Sequence, residues 1–399
     1  MKVCFYPTTM QGDIYAMAQY YQEKINSGSN DEMLLVVDDY KDFLEEPVCR
    51  HLPFNVEFVE RSSLFAMSKI KKFDPDFLFI DNHIPSKKVF RNLVYLWHGF
   101  GWKEQRADIE FVTVHEQLDK LVGGVREPNP HFIHQTYGQF EKDHRWEFTK
   151  FHPENCLNMG MLYSDMLMKP KVSREEIAAY YPFEHKDRKT VLLGFTWGFG
   201  EVFKNWDMEE EAILSRLFSL LAERETNVIF RLHDKKRYEP RYLSFLEEIS
   251  SRYGNIYLKY KNVGRDNYFD VLLSDLIVSN FSGIVVYAYF TGVPSIHIHP
   301  YGLRDDTDYL LRFRRKKQMV DTSAKYMWKM GPEENGGMLA RSAEQFFSQV
   351  EKALDDRDCC RDISKKFNEK YMETSTGATC ENLDRYLTQW HGGTKPSPW

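Results

Sequence analysis

Ser279-Asn280-Phe281-Ser282-Gly283 follows the apolar run Val271-Leu272-Leu273-Ser274-Asp275-Leu276-Ile277-Val278, and Leu96-Trp97-His98-Gly99 closes an earlier one. Each reads as a buried strand that opens into a helix. In α/β proteins the C-terminal end of a strand, next to a helix N-terminus, is where ligands bind, and the unpaired N–H groups there favour phosphate. The earlier segment offers a His able to move a proton. The later one offers a hydroxyl and a glycine suited to an anion. The pair points to transfer chemistry on a nucleotide-linked phosphate.

Working outward from these two segments, strand and helix signals alternate. Residues 3–6, 33–37, 56–59, 77–80 and 93–96 read as strands, and residues 14–25 and 64–70 as helices. Residues 109–148 are less periodic and read as connecting helices and loops, and residues 156–161 as another strand. A charged stretch, 169–189, contains a capping box of Ser173 and Glu176. Alternation then restarts, with strands at 191–196, 227–232, 255–260, 271–279 and 294–299 and helices at 208–225, 242–253 and 283–290. Such alternation predicts parallel, doubly wound sheets. The expected organisation is a first α/β domain over 1–170, a second over 186–345, closing helices over 346–390 and a loose tail over 391–399. A cleft between the two domains is the natural ligand site.

The chain has 399 residues, 42% of them hydrophobic, enough for two ordinary cores. Lys and Arg number 53 against 59 Asp and Glu, a net charge of −6, which gives no general attraction to nucleic acid or to an anionic membrane, although local basic clusters exist. The 6 cysteines form no CxxC pair, and Cys359 and Cys360 are adjacent, so neither a disulfide framework nor a zinc ribbon is expected. The first apolar run, residues 3–6, is too short for a signal peptide, and no stretch approaches the roughly 20 apolar residues of a membrane helix. Any membrane contact is expected to be peripheral.

His98, between Trp97 and Gly99 with Lys103 just beyond, is the candidate general base, since His titrates near neutral pH. Its bland alternative is a strand-end His satisfied by backbone. Arg231 and His233 flank Leu232 and project together from one face of a strand tip, a pairing suited to pyrophosphate or to an ordinary charged loop. Ser282 could cap the next helix while the N–H groups of Gly283 and Ile284 face an anion, or simply cap it. Thr196 ends a strand that could line the same cleft. His297 and His299 alternate as zinc ligands can, but no Cys or acidic partner has ligand spacing, so no metal site is expected. The basic run 312–317 suits an anionic acceptor or lipid headgroups, or a solvated helix face. No P-loop is present and no GxGxxG follows a strand.

The ordered set Trp97-His98-Gly99, Met159 to Asp165, Phe195-Thr196-Trp197, Arg231-Leu232-His233, Leu273-Ser274-Asp275 and Ser279 to Gly283 resembles the CDP-glycerol glycerophosphotransferases, the teichoic acid primases and polymerases. Gly331-Pro332, Phe367 to Tyr371 and Gly377 extend the likeness. Phe100 stands where that family usually has Thr, and Asn280-Phe281-Ser282-Gly283 where it has Asp-Tyr-Ser-Ser. The resemblance implies a GT-B fold of two Rossmann-like domains facing a cleft. It implies transfer of glycerol phosphate, or a similar polyol phosphate, from a CDP-linked donor to a polyprenyl-linked or glycan acceptor, with CMP released and no cofactor. His98 would be the base. His233 and Arg231 would hold the pyrophosphate, with Gly99, Lys103, Thr196, Asn280, Ser282 and Gly283 binding substrate. The setting would be cytoplasmic, peripheral at the inner face of the plasma membrane. The alternatives are a GT-B glycosyltransferase using a nucleotide sugar, and a non-catalytic subunit of a surface-polymer machine.

Overall fold

Strands whose side chains are buried on both faces need a sheet covered by helices on both sides. In the computed structural model, which describes residues 1–97, 99–105, 107–195, 202–232, 238–260, 267–299 and 326–398, the apolar runs build two such sheets. Side chains of residues 103–112, 148, 326 and 327 are outside that description. The first half contributes β1 (Lys2–Tyr6), α1 (Gly12–Asn26), β2 (Glu32–Val37), α2 (Tyr40–Glu45), α3 (Pro47–His51), β3 (Glu57–Glu60), α4 (Ala66–Phe73), β4 (Phe77–Ile80) and β5 (Asn92–Tyr95). After these come β6 (Lys103–Gln105), α5 (Ala107–Val122), β7 (Phe132–Thr136), α6 (Gln139–His144), β8 (Cys156–Asn158), α7 (Ser164–Met168) and α8 (Arg174–Ala178). The second half contributes β9 (Thr190–Gly194), α9 (Glu210–Glu223), β10 (Asn227–Arg231), α10 (Pro240–Arg252), β11 (Ile256–Lys259), α11 (Tyr268–Leu273), β12 (Leu276–Ser279), α12 (Ile284–Thr291) and β13 (Ser295–Ile298). The chain closes with β14 (Tyr326–Trp328), β15 (Met338–Ala340), α13 (Ala343–Asp355), α14 (Arg361–Tyr371) and α15 (Thr379–His391).

The first sheet runs β3-β2-β1-β4-β5-β7-β8 and the second β11-β10-β9-β12-β13-β15, and their recorded pairings are parallel. Both sheets therefore wind in the same order from their first five strands, reversing direction beside β1 in one and β9 in the other. This is the two-domain α/β architecture expected from the sequence. Because all strands of a sheet point one way, the turns after β1, β2, β3, β4 and β5 share one face, the ligand-binding face of such sheets.

Local readings need four corrections. Residues 271–273 belong to α11, not to a strand; Ser274, whose hydroxyl bonds the Asp270 carbonyl at 2.5 Å, separates that helix from β12. Trp97-His98-Gly99 opens not into a helix but into β6, which pairs antiparallel with β14 from the second half. The aperiodic middle hides a central buried strand, β7, whose Phe-Ile-His-Gln-Thr sequence looks too polar for the core. The closing helices, read as two over 343–354 and 361–389, are three, because residues 361–389 divide into α14 and α15, and α15 returns to the first domain. There Trp390 packs edge-on against Phe77 at 5.2 Å and Lys24 pairs with Asp384 at 2.8 Å. Beyond α15, the Lys395 ammonium donates to the Asn129 and Phe132 carbonyls, both at 2.7 Å, and burial lowers its pKa to about 8.

One apolar core crosses between the domains. It runs from β1, β4 and β5 through Tyr163 to Tyr268, Val285 and Tyr287 of α11 and α12. A second core lies on the far face of the second sheet, under α9 and α13. Trp102, fully buried, is the hub of the crossing. Its ring lies 5.2 Å from Phe100, 5.4 Å from Phe281, 5.2 Å from His297 and 5.6 Å from Phe367, and its Nε1 donates to the Glu334 carbonyl at 2.6 Å. Truncating a buried aromatic of this size costs about 3–5 kcal/mol. Trp102→Ala is accordingly expected to lower stability by that amount in chemical denaturation, while Trp146→Ala, half-exposed, changes it by less than about 0.5 kcal/mol.

Candidate functional site

The two segments that decide the fold meet where the domains face each other. Gly99, with φ of 142°, turns the chain in a region that favours glycine. Across from it, a Cβ added to Gly283 would stand 3.1 Å from the Phe100 carbonyl oxygen. The close approach therefore suits a residue with no side chain at position 283. On the second domain's side, Phe281 holds a left-handed φ of 61°, costly for a residue with a Cβ. Its ring is buried 4.6 Å from His297 and 5.1 Å from Trp328, which fixes the strained turn. Strain held in place by packing is common where a turn must present backbone to a ligand.

Ser279 organises this turn. Its hydroxyl donates to the Gly194 carbonyl at 2.5 Å and accepts from the Ser282 N–H at 3.3 Å. Ser282 does not cap α12 as expected; Gly283 takes the cap position, without a side-chain bond, and the Ser282 carbonyl accepts from Val285 N–H at 3.2 Å. Asn280 is buried beside it. The site residues His98, Thr196 and His233 lie outside the described residues, as does the basic run 312–317, and Lys103 is described only as backbone within β6.

Trp97, immediately before His98, is gripped through its own peptide groups. Its N–H donates to Gln135 Oε1 at 2.8 Å, and its carbonyl accepts from the Tyr137 hydroxyl at 3.3 Å. The Gln135 amide nitrogen donates in turn to Asp13 Oδ2 and to the Gly160 carbonyl, each at 2.7 Å. Asp13 Oδ1 accepts the Tyr163 N–H at 2.8 Å. Asp13, Gln135 and Tyr137 are all buried, so these bonds are not exchanged with water. Burial pushes the Asp13 carboxyl up to about 7, against the lowering effect of its donors Tyr163, Gln135 and Tyr137. The sequence singles out none of Asp13, Gln135 and Tyr137: Asp13 sits just after the first strand, at the start of α1, and Gln135 and Tyr137 sit in and just after the strand that the sequence hides.

Two cations lie under the same turn. The Arg145 guanidinium stacks 4.3 Å from the Trp97 ring and the Lys329 ammonium sits 4.5 Å from the Phe100 ring. Both reach buried Glu141, at 3.2 Å from Arg145 and 2.8 Å from Lys329. Burial alone would raise the Glu141 carboxyl, but these two charges hold it down to about 2. At the ends of β10 and β11, Asp270 accepts from Arg231 at 2.7 Å and Lys259 at 2.8 Å, and from the Tyr181 hydroxyl at 2.5 Å. Burial opposes ionisation of Asp270, yet Lys259 and Arg231 hold its pKa below the usual value. Arg231 thus stands at its strand tip with one Nη committed to Asp270. His297 is a core residue, its Nε2 2.6 Å from the Tyr289 hydroxyl. Among the described residues no group of His, Cys, Asp and Glu could hold a metal ion, and no helix is long and apolar enough to cross a membrane.

This arrangement defines the fold class: two Rossmann-like domains meeting at their strand ends, the GT-B architecture. The chain is similar in structure to the wall teichoic acid polymerase TagF, with TM-score 0.68 and 11% identity over 98% of this chain and 89% of that one. A TagF structure soaked with CDPG superposes equally well, at TM-score 0.67 and 13% identity over 98% and 88% of the two chains. UDP-bound MnaA of S. aureus shares the fold at TM-score 0.56 and 14% identity, over 100% and 99%. No protein-family model and no curated protein matches the sequence.

The Asp13 shift has a testable sign. A carboxyl whose folded pKa exceeds its unfolded value keeps its proton in the fold after the unfolded chain has lost it. Its contribution to stability is therefore lost as pH rises from about 4 to about 7. The slope approaches about 1.4 kcal/mol per pH unit in the middle of that window. Asp13→Asn should flatten the profile of Tm against pH between these limits, read by thermal unfolding of both proteins across the range.

Proposed function

We propose that the chain transfers glycerol phosphate, or a similar polyol phosphate, from a CDP-linked donor to an acceptor hydroxyl in the synthesis of a teichoic acid or capsule-like surface polymer. The observation that carries the reading is the meeting of Gly99-Phe100 and Ser282-Gly283 across the domain boundary, so close that a Cβ on Gly283 would stand 3.1 Å from the Phe100 carbonyl oxygen. A turn bearing a His and a turn offering backbone N–H groups are the two halves that phosphoryl transfer needs. The CDPG soak of a TagF structure of the same fold supports a nucleotide-linked donor.

In the proposed step His98 removes the acceptor hydroxyl proton. The acceptor oxygen bonds to the phosphorus of the polyol phosphate, the bond from that phosphorus to the CMP oxygen breaks, and CMP leaves. Arg231 and His233 hold the donor pyrophosphate and stabilise the charge developing on CMP. Ser282 and the amides near Gly283 hold a donor phosphate, with Thr196, Asn280 and Lys103 lining the substrate path. Positioning and charge stabilisation supply most of the acceleration. The acceptor is polyprenyl-linked or a glycan, met at the inner face of the plasma membrane.

CMP release tests this directly, with CDP-glycerol, CDP-ribitol and UDP-sugars offered in parallel and a bacterial membrane extract as acceptor source. Release from one CDP-polyol is expected, falling about 10²–10⁴-fold in His98→Ala while the melting temperature holds. UDP release from a sugar donor alone would make the chain a glycosyltransferase, and near-normal turnover in His98→Ala would remove that residue from the chemistry.

A further inference from the structure

The segment after α15, expected to be loose, is anchored by one side chain. The Lys395 ammonium lies among four oxygens: the Asn129 and Phe132 carbonyls, both at 2.7 Å, the Glu154 carbonyl at 3.0 Å and Asn155 Oδ1 at 3.3 Å. A lysine ordinarily keeps its strongly hydrated head group in water. Here the head group has given up that water for oxygens that all belong to neutral amides, and burial lowers its pKa to about 8.

The cage is built without the lysine. Asn155, fully buried, accepts the Asn129 N–H on Oδ1 at 2.8 Å, and its amide nitrogen donates to the Val125 and Glu127 carbonyls at 3.0 and 2.8 Å. Asn129, also buried, donates to the Val122 carbonyl at 2.9 Å and accepts the His131 N–H at 2.8 Å. Phe132 opens β7, which is held between β5 and β8. These bonds aim the oxygens at one point whether or not an ammonium stands there. The segment that carries Lys395 is of another kind. It is exposed over residues 391–394, and beyond Lys395 the Tyr386 hydroxyl donates to the Pro396 carbonyl at 2.8 Å. Exposed segments of this sort open locally at little cost, whereas buried carbonyls that lose a partner must find another.

We propose that these four oxygens form a monovalent-cation site that the chain fills with its own ammonium, and that potassium takes the site when the segment withdraws. Ammonium and potassium are cations of like size and charge, and backbone carbonyls are the groups that replace the hydration shell of potassium in proteins. The donor set does not suit a divalent ion. Calcium and magnesium draw carboxylates, and here Glu154 contributes its main-chain carbonyl. Lithium is too small to touch oxygens set apart for an ammonium. The exchange changes no covalent bond: Lys395 leaves protonated, potassium sheds its water, and the segment after α15 is freed. Phe132 lies three residues before Gln135, so either occupant steadies the start of the strand that grips Trp97. The site is made by the first domain and α15's own extension, and the inference does not rest on the proposed transfer reaction.

Thermal unfolding of the full chain and of Lys395→Ala at neutral pH, with potassium chloride exchanged for choline chloride at constant ionic strength, tests the proposal. The substitution leaves the cage open and alters a surface segment, so the variant folds as the parent does. In choline chloride it is expected to melt below the parent. Potassium at about ten times its dissociation constant should raise the variant's Tm by about 2 °C. Methylammonium, which resembles the missing head group, should do the same, and lithium should not. The parent, whose cage is filled, should melt alike in potassium and in choline. The proposal is overturned if potassium raises the variant no more than it raises the parent, or if lithium serves the variant as well as potassium, since either result makes the effect one of bulk salt.

Discussion

Glu141 is the constraint around which the site is assembled. A buried carboxylate is tolerated only when cations compensate it, and here Arg145 comes from the helical turns after α6 while Lys329 comes from the second half of the chain. Arg145 pairs with Glu141 locally, but Lys329 reaches it only when the halves are in register. Once held, each cation becomes a platform for an aromatic ring, Trp97 on Arg145 and Phe100 on Lys329. The turn that carries His98 is thereby pinned from beneath by electrostatics and laterally by Gln135 and Tyr137. The small β6–β14 sheet and the Trp102 hub repeat the same linkage in backbone and apolar form. Several kinds of interaction thus converge on one short turn and fix its position before any ligand arrives.

That preorganisation explains why the opposite turn can be strained. Phe281 gives up a comfortable backbone and is repaid by burial of its ring between the domains. The resulting geometry brings Gly283 to the Phe100 carbonyl, so strain in one domain is coupled to position in the other. A rearrangement at either turn must disturb both.

The sequence disclosed the architecture because both sheets are built from short apolar runs with glycine or proline at their ends. It disclosed the two facing turns because glycine and a chemically able side chain stood at the end of such runs. It concealed β7 because His134, Gln135 and Thr136 are polar residues spent on internal bonds, and periodicity cannot distinguish these from a solvated face. It misplaced 271–273 because a short apolar run fits helix and strand alike. Asp13, Glu141 and Lys329 were invisible for a different reason: their partners lie 122 or more residues away for the first, through Gln135, and 188 away for the pair Glu141 and Lys329. Only a folded chain brings such residues together.

The return of α15 to the first domain has a temporal consequence. Until Trp390 and Asp384 have been made, Phe77 lacks its edge-on contact with Trp390 and Lys24 has Asp31 but not Asp384. On the ribosome the first domain therefore waits, with an apolar flank uncovered, while the second is synthesised. Closure of such distant ends is intrinsically slow, since loop entropy is lost before the contact is gained. The chain's two halves are therefore joined in biogenesis as well as in packing: the first domain reaches its final packing only once α15 has been translated.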